Sequence, residues 1–165
     1  MGWRLFCGEM GEATPARLYA TLVGGVLVIA GVIGFFYNAS FGSGADGGIG
    51  DDKHYEVFGL LAVNGWHNLV HVATGLLGLI AAGYAARTYA LGLGLVYVAI
   101  AIWGFIVVEQ PYGTILDFIP VNNEDNFLHL ILGLTGLAAG AATPKPGGAK
   151  KKRERPARPR RESAA

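Results

Sequence analysis

Three histidines on two short segments are the residues of this chain best suited to bind or react. His67 and His71 lie four apart in Asn64-Gly65-Trp66-His67-Asn68-Leu69-Val70-His71, and His129 follows Asn126 as His71 follows Asn68. Residues three and four apart share one face of an α-helix. A histidine pair at this spacing can grip a metal ion, and His71 and His129 on facing helices could ligate a haem iron axially. Hydrolytic zinc chemistry is not expected, because a zinc-protease helix carries a Glu between its histidines and Asn68-Leu69-Val70 has none. A porphyrin would force the helices apart, whereas glycines one turn further on draw helices together, yet glycines can also make room for a ring. Haem and a metal ion therefore both stay open at this stage. The plain alternative is interhelical glue, with Asn68, His71, Asn126 and His129 pairing across the bundle at ~0.6–2 kcal/mol each. Two imidazoles held there are expected to be neutral, since burying a charge is costly and like charges repel.

Little else invites chemistry. No phosphate-binding loop, nucleophile with its base or carboxylate pair stands within an apolar segment, and Glu109 and Asp117 fall at or beyond helix ends. No catalytic residue is assigned and an enzyme is not expected. A lone Cys7 excludes an internal disulfide and a cysteine-built metal site.

The histidines belong to a repeated stripe. Asn64, Asn68, His71, Gly75, Gly78 and Ala82 lie on one helical face, and 58 residues later the stripe recurs as Asn122, Asn126, His129, Gly133, Gly136 and Gly140. A second match at an offset of 70 pairs Tyr19 with Tyr89, Gly24 with Gly94, Gly34 with Gly104 and Phe35 with Phe105. The pattern predicts two copies of a helical hairpin, related by a pseudo-twofold axis along a membrane normal. It further predicts that helices two and four meet face to face. His71 then approaches His129, Asn68 approaches Asn126, and Gly75 and Gly78 contact Gly133 and Gly136, because small residues let backbones approach where lipid supplies no hydrophobic drive.

These helices are expected to lie in a membrane. The chain is 52% hydrophobic and only 15% charged, with 26 glycines in 165 residues, and 9 of its 13 Lys and Arg crowd into the last 21 positions. Without that tail the remainder is too apolar for a soluble domain of its size. Residues 18–37 contain no charge, and 20 residues at ~1.5 Å each cover ~30 Å, the thickness of a bilayer core. The fold expected is an all-α membrane protein with four spans, at about 18–37, 64–84, 89–108 and 125–142. A head over 1–17 precedes the domain of 18–143, and a basic, disordered tail over 144–165 follows it. A cleaved signal peptide is not expected. The tight link at 85–88 reads as a turn between antiparallel neighbours. Asn64 and Asn122 read as N-caps, with Asp125 completing a capping box.

Charge sets the orientation. With four spans the head, the Arg87 link and the tail share one side, holding twelve basic residues against four acids, a net of +8; the other side holds Lys53 with eight acids, a net of −7. Basic loops stay inside, so both termini are expected in the cytoplasm and the protein in the inner or plasma membrane. The tail, with Lys150, Lys151, Lys152 and Arg153, is expected to meet anionic lipid head groups at about 1 kcal/mol per basic residue. Nucleic acid is not expected, because no aromatic residue is interleaved for base stacking. The partners expected are the bilayer and other membrane proteins or further copies of this chain.

The segments N-G-W-H-N-L-V-H-V-x-x-G-L-L-G-L and D-N-F-L-H-L-x-L-G-L-x-G-L resemble the two signature segments of a family of small four-span bacterial membrane proteins, domain of unknown function 4383. The resemblance covers roughly residues 15 to 142, an extent set by the topology reading. It implies a bacterial multi-pass membrane protein and supplies no activity. The Gly/Asp-rich first loop and the basic tail fall outside the shared pattern. The role expected first is a non-catalytic scaffold or envelope-stress component with an Asn/His stripe buried between helices two and four. A haem- or metal-binding redox protein using His71 and His129 is the alternative. A small-solute or proton conduit is the third reading, weakened because no acid lies inside a span and a relay would rest on histidines alone.

Overall fold

The computed structural model of the chain describes residues 13–43, 55–109 and 111–145. The polar head before Ala13, the middle of the Gly/Asp-rich loop and the tail with Lys150–Arg153 lie outside the described residues. Four helices dominate: α1 (Pro15–Tyr37), α2 (Gly65–Ala81), α3 (Ala86–Val107) and α4 (Asn123–Ala142). Two of them, α1 and α3, are long and apolar enough to cross a membrane.

Each helix begins where its local chemistry allows. Pro15 opens α1 at a position whose N–H would be unpaired anyway, and the Thr14 hydroxyl accepts from the Arg17 amide at 3.2 Å. Asn64 caps α2 by accepting from the His67 amide at 2.9 Å. Asn122 and Asp125 form the expected reciprocal capping box on α4. Helix α2 ends at Ala81, shorter than expected, and the turn over residues 82–85 hands the chain to α3 at Ala86.

The segments ahead of α2 and α4 are not plain loops, which departs from the purely helical expectation. Each is a short antiparallel hairpin, β1 (Glu56–Val57) with β2 (Leu61–Ala62), and β3 (Gly113–Ile115) with β4 (Ile119–Val121). In both, the first two residues of the turn are left-handed, Phe58 and Gly59 in one and Leu116 and Asp117 in the other. That geometry matches the twist of a hairpin and is costly for Phe and Leu. Pairing lets the backbone of a buried connection satisfy its own polar groups.

Packing runs within each hairpin of helices: α1 lies along α2 and α3 along α4, while α2 and α4 barely meet. This corrects the face-to-face arrangement expected for the glycines. A Cβ placed on Gly75 would lie 2.6 Å from the Gly24 carbonyl oxygen, and one on Gly133 would lie 3.0 Å from that of Gly94. Gly78 and Gly136 do not touch each other either. They face the hydroxyls of Tyr89 and Tyr19, which donate to the carbonyls of Thr74 and Leu132 at 3.1 and 2.8 Å. Gly140 packs on Leu91. A small-residue stripe docks on whichever helix offers a matching one, and α1 and α3 carry their own. The short turn after α2 likewise joins helices that touch only lightly.

The two helical hairpins join at a core containing Tyr19, Leu27, Ala90, Leu93 and Tyr97. At one end of the bundle Thr143 ties three helix ends together, accepting from the Ala16 amide at 2.9 Å while its carbonyl takes the Arg87 guanidinium at 3.1 Å. At the other end the β-hairpins exchange bonds. Asn64 donates through Nδ2 to the Phe118 carbonyl at 2.6 Å, and Asn122 donates to the Leu60 carbonyl at 2.7 Å.

Candidate metal centre

The histidines sit just inside this second end. His67 is the third residue of α2, fixed by the cap at Asn64. His71 follows one turn later on the same face, and His129 occupies the same position of α4 that His71 occupies of α2. The Nε2 atoms of His67 and His71 are 3.1 Å apart. Ring centroids lie 4.4 Å apart for His67 and His71, 5.9 Å for His67 and His129, and 6.3 Å for His71 and His129. One nitrogen from each ring can be chosen so that all three lie within 4.8 Å of one another. His67 and His129 are 3% and 5% exposed, and the Nδ1 of each is enclosed with no hydrogen-bond partner among the described residues.

This arrangement suits a metal ion. Two imidazole nitrogens bound to one zinc-sized ion at ~2.0–2.1 Å lie about 3.3 Å apart in a tetrahedral site, close to the 3.1 Å already present between His67 and His71. Without an ion, one Nε2 can donate to the other, depending on tautomer.

Haem fits poorly. The larger cavity beside the cluster holds about 100 Å³ and the smaller about 40 Å³, whereas organic ligands of drug size need pockets of ~300–1,000 Å³. His67 also stands beside both of the rings that would have to clamp the porphyrin.

The asparagines behave differently from expectation. Asn68 does not turn toward Asn126: its Nδ2 donates to the Asn38 carbonyl at 2.8 Å, and the amide packs against Gly34 of α1. Asn126 packs against Gly104 of α3, and neither its Oδ1 nor its Nδ2 has a partner among the described residues. Gly34 and Gly104 leave room for an amide in the adjacent helix, so each Asn stays within its own hairpin. The histidines meet across the two hairpins and the asparagines do not.

Asp125 was legible as a cap, yet its place in the site was not. It is 3% exposed, its Oδ2 accepts from the amides of Asn122 and Ala62 at 3.1 and 3.0 Å, and it lines the larger cavity together with all three histidines. Glu56, which the sequence marks only as one of the acids of the first loop, is 8% exposed, and its Oε1 accepts from the Tyr112 hydroxyl at 3.0 Å. Continued backward from Asn64 and Asn122, the offset of 58 aligns Val57-Phe58 with Ile115-Leu116 and Leu60-Leu61 with Phe118-Ile119, apolar residues of the two β-hairpins.

No curated protein and no solved structure matches the chain. The model of one family, a domain of unknown function (DUF4383), matches residues 17–142, and the chain belongs to that family.

Proposed function

We propose that this chain is a four-span protein of the plasma membrane, with both termini in the cytoplasm, that holds one transition-metal ion at His67, His71 and His129. The observation that carries the binding role is the convergence of three imidazoles from two helices around cavities too small for an organic cofactor. Imidazole donors suit zinc, copper, nickel or iron. The role proposed is binding: among the described residues no Ser, Cys or Lys lines either cavity. The scaffold reading takes its place if no metal binds.

Four spans are supported by what the helices leave uncovered. Leu22, Ile29 and Phe36 on α1, Leu77 and Ile80 on α2, Leu95 and Ile106 on α3, and Phe127 and Ile131 on α4 are all exposed. Such broad apolar surface is costly in water and suits lipid. Duplication is supported by reciprocity. Asn64 reaches Phe118 while Asn122 reaches Leu60, and both partners obey the offset of 58. Contacts of this self-complementary kind belong to a twofold axis, here running along the membrane normal.

The test is metal content. Detergent-purified protein, stripped with chelator and re-equilibrated with a transition metal, should retain roughly one ion per chain, as a preformed three-ligand site does. His71→Ala and His129→Ala should each lose it. Retention by the triple variant His67→Ala/His71→Ala/His129→Ala refutes the assignment. A Soret band in protein purified from cells refutes the exclusion of haem.

A further inference from the structure

Two buried carboxylates, Asp125 and Glu56, lie at the end of the bundle that holds the histidines. Neither Asp125 nor Glu56 is paired with a Lys or Arg among the described residues. Both gather around one residue: Asn122 donates its backbone N–H to Asp125 Oδ2 at 3.1 Å and its side-chain Nδ2 to Glu56 Oε1 at 3.5 Å. Buried charges are ordinarily paired or coordinate metals. Asp125 Oδ1 takes no hydrogen bond among the described residues, and the residue lines the 100 Å³ cavity that the three histidines also line. Counted at the offset of 58, Asp125 stands where His67 stands in the first half. The site is thus built from an i, i+4 His–His pair on α2 and an i, i+4 Asp–His pair on α4.

We infer that the centre takes a divalent cation, bound by the three histidines and balanced by Asp125 acting across the cavity through metal-bound water. This rests on the metal-binding reading above and names the charge class of the ion. Three neutral imidazoles leave the full double charge of such an ion uncompensated. The attraction between the carboxylate and the ion is proportional to the ion's charge, so the carboxylate matters about twice as much to a divalent ion as to a monovalent one. Asp125 is a positioning and charge-balancing residue, since it stands outside the group of nitrogens that lie within 4.8 Å of one another. A water takes ~30 Å³, so the cavity can hold the ion with the waters that reach the carboxylate.

The experiment compares Co²⁺ and Zn²⁺ with Ag⁺ on chelator-stripped, detergent-purified full-length protein. Co²⁺ is read by its visible absorption, and the other two by competition. Asp125→Asn keeps an oxygen for the Ala62 and Asn122 amides while removing the charge, and circular dichroism checks that the helices are intact. The expected result is a 10–100-fold loss of Co²⁺ and Zn²⁺ affinity, the usual effect of losing an outer-shell partner, with a smaller loss of Ag⁺ affinity, about 3–10-fold, since half of the Coulomb energy is the square root of the fold-change. Should Asp125→Asn fail to fold, Asp125→Ser is read instead, with the same larger loss for the divalent ions. Unchanged Co²⁺ affinity, or an equal loss of Ag⁺, overturns the inference and leaves metal binding standing. Wild-type protein that binds Ag⁺ but neither divalent ion does the same. Wild-type protein that binds none of the three overturns the metal reading itself.

Discussion

Alanine at Gly24 and at Gly25, tested one at a time, separates close packing from helix propensity on a single turn of α1. A Cβ on Gly24 would stand 2.9 Å from the Gly75 carbonyl oxygen and 3.0 Å from the Leu79 amide nitrogen, while one on Gly25 meets nothing within 4 Å. Both changes gain the same intrinsic preference, about 0.8–1.0 kcal/mol in water. Gly25→Ala has nothing to oppose that gain and should stabilise by about 0.4–1 kcal/mol. At Gly24 the obstacles are backbone atoms of α2, which cannot swing aside as a side chain can, so α1 and α2 must move apart. Overpacking of this kind costs about 1–3 kcal/mol. Propensity cancels between the two variants, and their difference is that same cost. The same contrast exists on α3, where a Cβ on Gly94 would lie 2.8 Å from the Leu137 amide nitrogen and one on Gly92 is unobstructed. Unfolding in mixed micelles with increasing dodecyl sulfate, followed by circular dichroism, measures both pairs. Equal stability of Gly24→Ala and Gly25→Ala, or the reverse order, would falsify the packing of α1 against α2.

Reporter fusions at Gly47 and Gly113 should give a signal outside the cell and a fusion at Ala149 a signal inside; a cytoplasmic signal from either loop refutes four spans with both termini in the cytoplasm. Deleting Lys145 to Ala165 should leave an inserted, folded bundle with weaker binding to anionic vesicles, at about 1 kcal/mol per basic residue near the surface. Misinsertion of the deleted chain would assign the tail to setting topology instead.

Local chemistry was readable from the chain itself. Asn64, Asn122 and Asp125 announced two helix starts because a cap acts within four residues of itself. The repeat at 58 put His71 and His129 at matching places on α2 and α4, and the twofold axis expected from it would bring equivalent residues to equal depth. That much made the meeting of the two imidazoles predictable. What each stripe would touch was a different matter. A row of glycines declares only that some backbone can come close; it does not choose among neighbours that all carry such rows. The partner was settled by the match of Gly24 with Gly75 and of Gly94 with Gly133, and by the room that Gly34 and Gly104 leave for Asn68 and Asn126. Asp125 shows the same division. Its role as a cap follows from three residues of sequence. Its place in a cavity with His67, His71 and His129 depends on β2, whose Ala62 amide it holds from 63 residues away. Contacts of that span are decided only when the two hairpins close against each other.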